Sequence, residues 1–232
     1  MKKLKINRLD WDSDFFGIEV GQLQMDKNSE PDLSNAIEYE FIEVKQYQND
    51  SIKIIGFENN FQETKLIFSK KITNTNTTFP DFIFDNDNKQ VPNTLLYPLA
   101  YESGKYSRYK LDIHFKENQF KNLYQKWIDN SVNKQFADKV FYILESDIIQ
   151  GFVTIKKNDE FATIGLIAVL ESSQGKGFGS LLLKKAEDYC ISESIYELRI
   201  PTQKENLQAC NFYYKQRYTI FEESIIKHYW KK

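Results

Sequence analysis

Apolar and polar positions alternate most cleanly in the second half of the chain. The runs KVFYILE (139–145), IIQGFVTIKK (148–157) and FATIGLIAVL (161–170) follow one another across short polar breaks, the last pair divided by Asn158-Asp159, and predict three consecutive strands. The period then lengthens. Residues 178–193 predict a helix, YELRIPT (196–202) a strand, NLQACNFYYKQ (206–216) a second helix, and TIFEESIIKHYW (219–230) a closing strand or hairpin. Upstream, NQFKNLYQKWIDNSV (118–132) sets Phe120, Leu123, Tyr124, Trp127 and Ile128 on one helical face.

The first 72 residues read as a smaller unit. FFGIEVGQLQM (15–25), YEFIEVKQYQ (39–48) and QETKLIFSKKI (62–72) have the look of strands, while PDLSNAIE (31–38) and DSIKIIGFE (50–58) predict short helices. Residues 73–94 are rich in Thr, Asn, Asp and Pro and predict a linker or long loop; LLYPLA (95–100) predicts a strand. The expected fold class is α+β. A small α/β domain over 1–72 and a linker over 73–94 precede a domain over 95–232 with a mixed, mainly antiparallel sheet flanked by helices.

With 41% hydrophobic and 15% aromatic residues among 232, the chain can build a packed core. A net charge of -2 argues against a general nucleic-acid binder, and no apolar run approaches the length of a membrane span. Two cysteines, Cys190 and Cys210, fall in predicted helices and read as apolar fillers, so a cytoplasmic location is expected. His114 and His228, the only histidines, lie far apart with no cysteine pair beside them, and no metal is expected.

SSQGKGFGS (172–180) holds three of the nine glycines within five residues, immediately before a predicted helix. A helix N-terminus offers unpaired N–H groups and the positive end of the helix dipole, and glycines let an anion lie against the main chain. The stretch therefore predicts a phosphate cradle. Neither a Walker loop nor a dinucleotide fingerprint fits, since Ser180 stands where the latter needs glycine.

Gln174-x-x-Gly177-x-Gly179 resembles the coenzyme A pyrophosphate loop of the GNAT family of N-acetyltransferases, Arg/Gln-x-x-Gly-x-Gly/Ala. Asn206, Ala209 and Tyr213 match that family's Asn-x-x-Ala-x-x-x-Tyr at the head of the following helix. Along nearly its full length the chain further resembles the bacterial dTDP-fucosamine acetyltransferases, through LDWDSDFFG (9–17), IIGFENNFQETKLIF (54–68), SRY (107–109) with LYQKWIDNSV (123–132), and HYW (228–230).

This resemblance implies a GNAT fold, acetyl-CoA as co-substrate, and a dTDP-linked 4-amino-4,6-dideoxyhexose as acceptor. It implies that Ile167, Ala168 and Val169 offer backbone contacts to the thioester arm, and that Gln174, Gly175, Lys176, Gly177, Phe178, Gly179 and Ser180 hold the diphosphate. Asn206 would bond the pantetheine arm or cap its helix, and Tyr213 would be the general acid. Glu63 would be the base, and Arg108 would meet the nucleotide diphosphate; an ordinary strand position and a salt bridge are the plainer readings of these two. The family's Tyr-x-x-x-Gly-Phe helix ending is replaced by Tyr213 followed by Arg217-Tyr218, which implies a different turn or strain. Other small amines, a peptide N-terminus, or a silent acyl-CoA-binding module stay open, as does a homodimer.

Overall fold

The computed structural model describes residues 2–26, 28–73 and 78–232, so 74–77 of the expected linker lie outside the described residues. The chain opens with β1 (Lys2–Lys5), β2 (Asn7–Arg8), α1 (Asp10–Phe16), β3 (Val20–Gln24), β4 (Ser29–Asp32) and β5 (Phe41–Gln46). The long strand β6 (Phe57–Lys71) follows, then β7 (Ile83–Asp85), α2 (Tyr97–Ser103), α3 (Arg108–Leu111) and α4 (Glu117–Val132). The rest is β8 (Lys139–Glu145), β9 (Ile148–Lys157), β10 (Ala162–Val169), α5 (Phe178–Ser192), β11 (Glu197–Gln203), α6 (Leu207–Lys215) and β12 (Thr219–Lys231).

Ten strands form one sheet in the order β2-β3-β5-β12-β6-β11-β10-β9-β8-β7, and β1 pairs separately with β4. Among the described residues its neighbours are parallel at β3·β5 and β10·β11 and antiparallel elsewhere, so the sheet is mixed and mainly antiparallel as expected. The boundary expected at 72 falls at the end of β6, which pairs with β12 on one side and β11 on the other. The N-terminal strands thus continue the sheet, with their own apolar cluster around Leu23, Ile42, Val44 and Tyr229.

Alternation along the central strands feeds two layers. Phe141, Val153, Ile155 and Ile164 pack with Leu182, Leu183 and Ala186 of α5. Val140, Tyr142, Phe152 and Leu166 pack on the other face with Leu99 of α2 and Leu123, Tyr124 and Ile128 of α4. Several N-terminal expectations fail. The strand expected at 15–25 begins inside α1, whose last turn closes on Gly17 at φ 69°. Residues 31–38 end in a single 3-10 turn, 50–58 hold no helix, and 95–100 enter α2, where Pro98 suits a first helical turn. The stretch expected as linker contributes β7 to the sheet edge.

Arg217 takes φ 65°, the glycine conformation. Its N–H donates to Tyr214 O at 2.9 Å and that of Tyr218 to Tyr213 O at 3.0 Å, the paired bonds of a Schellman ending. The turn is therefore the one glycine makes, and a side chain in this conformation costs about 1–2 kcal/mol. Arg217→Gly is expected to raise stability by about 0.5–1 kcal/mol, since glycine's extra chain entropy offsets part of the relief, with Tm rising by roughly 1–4 °C in thermal unfolding.

Candidate active site

β10 and β11 pair at two positions, Ala162↔Leu198 and Thr163↔Arg199, and then separate. The parting coincides with a register shift between Ile164 and Ile167 in the pairing of β10 with β9. Thr154 Oγ1 accepts the Leu166 N–H at 2.8 Å and so satisfies the displaced backbone. A Cβ on Gly165 would lie 2.9 Å from that same oxygen, which explains the glycine.

Beyond the bulge the Leu170 N–H donates to Gln150 O of the β9 side at 2.8 Å. Two-residue alternation then turns the amides of Ile167 and Val169 toward the split. A cavity of about 520 Å³ occupies the split, with Ile167, Ala168 and Val169 on one wall and Asn206 and Tyr213 on the other. Preorganised amides of this kind contribute about 3 kcal/mol per donor when they meet a developing oxyanion.

At one end of the cavity stands the glycine loop. Gly175 and Gly177 have φ 79° and 86°, and Gly177 begins α5 with no side-chain cap, leaving the first-turn N–H groups toward the opening. Gln174 braces the loop: its Nε2 donates to Val169 O at 3.5 Å and its Oε1 accepts from Gln208 Nε2 at 2.9 Å. Ser180 Oγ accepts from Gln216 Nε2 at 2.9 Å, tying α5 to α6. Gln174, Gly175, Gly177, Phe178, Gly179 and Ser180 line the cavity; Lys176 does not, and its Nζ lies 3.5 Å from Ser173 Oγ. Gly177→Ala is expected to cost about 1–2 kcal/mol of stability through its positive φ. Coenzyme A affinity should weaken roughly tenfold, read by calorimetric titration.

Asn206 caps α6, its Oδ1 accepting the Ala209 N–H at 3.1 Å. Tyr213 is buried at 4% exposure, and its hydroxyl has no hydrogen-bond partner among the described residues. Burial pushes its pKa well above the ordinary phenol value, so it holds its proton at neutral pH.

The wall facing the N-terminal strands is charged. Arg108 lines the cavity, but its Nε lies 2.9 Å from Glu43 Oε2 and its Nη1 3.5 Å from Glu63 Oε1. Arg108 thus forms a salt bridge at the cavity wall. Glu63 lies behind it, outside the cavity lining, with both carboxylate oxygens buried and without hydrogen bonds. Burial raises its pKa, with Arg108 and Lys65 acting in opposition. Three groups escaped the sequence reading: Glu43, Asp112 and Lys65. Asp112 Oδ2 lies 2.6 Å from His228 Nδ1 and accepts from Trp230 Nε1 at 2.9 Å, which gives the 228–230 motif a structural anchor. Lys65 follows Glu63 by two positions and so shares its strand face, a signal the alternation carried.

Split strands, an exposed helix N-terminus and a buried tyrosine opposite free backbone amides define an acyl-CoA-dependent transferase site. The family model described as the Acetyltransferase (GNAT) family matches residues 104–217. The chain is 31% identical over 123 residues to streptothricin acetyltransferase A of Bacillus subtilis (strain 168), an alignment covering 52% of this chain and 69% of that protein. It belongs to the GNAT acetyltransferases, whose acetyl donor is acetyl-CoA. Solved structures agree in fold. A functionally unknown conserved protein from Staphylococcus epidermidis ATCC 12228 superposes with TM-score 0.61 at 11% identity, covering 92% of this chain and 85% of that one. A GNAT-family acetyltransferase structure from Novosphingobium aromaticivorans DSM 12444 gives 0.54 at 9% identity, covering 83% and 74%.

Proposed function

We propose that the chain moves acetyl from acetyl-CoA to the amine of a nucleotide-linked aminodeoxysugar, of the dTDP-4-amino-4,6-dideoxyhexose kind, by direct attack on the thioester. The observation that supports this acceptor is convergence. Single residues of the segments that carry the resemblance, Asp12, Glu63, Arg108 and His228, come near one another at the charged wall of the cavity, which Lys65 and Arg108 line. Tyr109 Oη donates to Asp12 Oδ1 at 3.4 Å, Phe16 stacks on Tyr109 at 5.8 Å between centroids, and Asp112, just after α3, lies 2.6 Å from His228 Nδ1 of β12. In this reading Ile167 and Val169 orient the thioester, the glycine loop holds the diphosphate of coenzyme A, and Tyr213 protonates the departing thiolate.

A second reading has its own support in the alignment with streptothricin acetyltransferase A: a free amine, with no nucleotide, as acceptor. Mass spectrometry of products separates the two. A panel of dTDP-aminodeoxysugars, streptothricin, simple amines and peptides is incubated with acetyl-CoA. Acetylation confined to the dTDP-sugars, with inhibition by dTDP, supports the first reading; acetylated streptothricin without inhibition by dTDP replaces it. Coenzyme binding with no product from any member would leave a silent acyl-CoA module.

A further inference from the structure

Direct attack requires a group that removes a proton from the acceptor amine, and Glu63 is sealed behind Arg108. Nearly every titratable group lining the cavity is already engaged. Arg108 sits between Glu43 and Glu63, Lys105 pairs with Glu102 at 2.5 Å, and Tyr109 bonds Asp12. Tyr213 is assigned to the thiolate, and burial pushes the pKa of Tyr124 up to about 12, too high for a base at neutral pH. Lys65 remains. It lines the cavity, and its Nζ forms no hydrogen bond or ion pair among the described residues. Its Cα partners are Gln203 at the end of β11 and Ser224 of β12. The Lys204 N–H donates to Thr64 O at 2.8 Å, so the turn leading into the Tyr213 helix is fastened beside it.

We propose that Lys65, in its neutral form, is the base that takes the acceptor's proton. The assignment rests on the direct-transfer reading above. An acceptor arriving as ammonium gives one proton to Lys65 Nζ, which later releases it to solvent. The freed amine forms the C–N bond, the C–S bond breaks, and the thiolate takes its proton from Tyr213. The nitrogen's second proton restores the phenol, so protons and electrons balance.

The charged groups facing Lys65 are Arg108 on α3, Glu43 and Lys45 on β5, and Glu63 on its own strand. Burial, then Arg108 and Lys45, push the amine's pKa below its ordinary value, and Glu43 and Glu63 act the other way. The neutral fraction is thereby increased, and kcat/KM rises as pH climbs through the lysine's pKa.

Lys65→Arg keeps the charge and cannot lose its proton at working pH. With a dTDP-4-amino-4,6-dideoxyhexose as acceptor, Lys65→Arg and Lys65→Ala should each lose about 10²-fold or more in kcat with coenzyme A affinity unchanged. Trimethylamine, which cannot itself be acetylated, should restore part of the Lys65→Ala rate, more so at higher pH. An active Lys65→Arg, or a Lys65→Ala that raises KM alone, would overturn the proposal and make Lys65 a charge that holds the acceptor. A wild-type enzyme that acetylates no amine would overturn the transfer reading, and this assignment with it.

Discussion

Tyr213→Phe is expected to lower kcat by about 10²–10³-fold while leaving KM for acetyl-CoA and thermal stability nearly unchanged. The change removes one oxygen. General acid catalysis contributes about 10²–10⁴-fold, and in the proposed mechanism the phenol donates the proton to the departing sulfur. The ring keeps its packing on Phe68, Phe212 and Tyr218. The hydroxyl gives up no bond among the described residues, so stability has little to lose. Because burial raises the pKa, loss of this proton should not limit kcat below pH about 10. Steady-state kinetics across pH, with thermal unfolding alongside, checks both halves.

Asp112→Ala is expected to cost about 3–5 kcal/mol, the largest stability effect of a single side chain on the charged side of the cavity. Asp112 is 1% exposed and follows α3, the helix that carries Arg108 and Tyr109. Its carboxylate lies 2.6 Å from His228 Nδ1, accepts from Trp230 Nε1 at 2.9 Å, and takes the His114 N–H at 3.0 Å. Removing it leaves buried donors without partners and unfastens α3 from β12. Burial disfavours the charge of Asp112, but His228, the His114 amide and Trp230 overcome this and hold its pKa well below the usual carboxylate range. A depressed folded pKa contributes stability above the unfolded value of about 3.9, and that contribution is lost as pH falls below it. Denaturant unfolding between pH 7 and 3 should show the wild type losing stability toward the acid end, and Asp112→Asn should flatten that slope. Acceptor KM should rise in Asp112→Asn while coenzyme A affinity holds, because the glycine loop lies at the other end of the cavity.

The half of the chain from 118 onward was legible because its signals are local. Strands 139–170 alternate, the glycines mark a helix start, and Asn206 stands at a cap. Nearer the N-terminus the apolar runs are short, and periodicity cannot separate a strand from a buried helix there. Leu95 to Ala100 shows the ambiguity, which Pro98 resolves toward helix once its place in the first turn is considered. Gly17 carried a comparable signal as the left-handed residue ending α1. The glycine-loop end of the cavity was readable as a contiguous motif. The charged side was readable at Arg108, through SRY; Glu43, Lys65 and Asp112 come from separate elements and meet it only when the sheet forms.

The proposed mechanism is direct transfer from acetyl-CoA to an amine held in the same cavity. Single-turnover thiol release tests it most directly, with enzyme in excess over acetyl-CoA and the dTDP-aminodeoxysugar added last. The predicted result is no free thiol before the acceptor, then thiol equal to acetylated product, with no acetyl group on the protein. A burst of thiol before any acceptor, with acetyl bound to a side chain, would contradict it and place a covalent intermediate on the path.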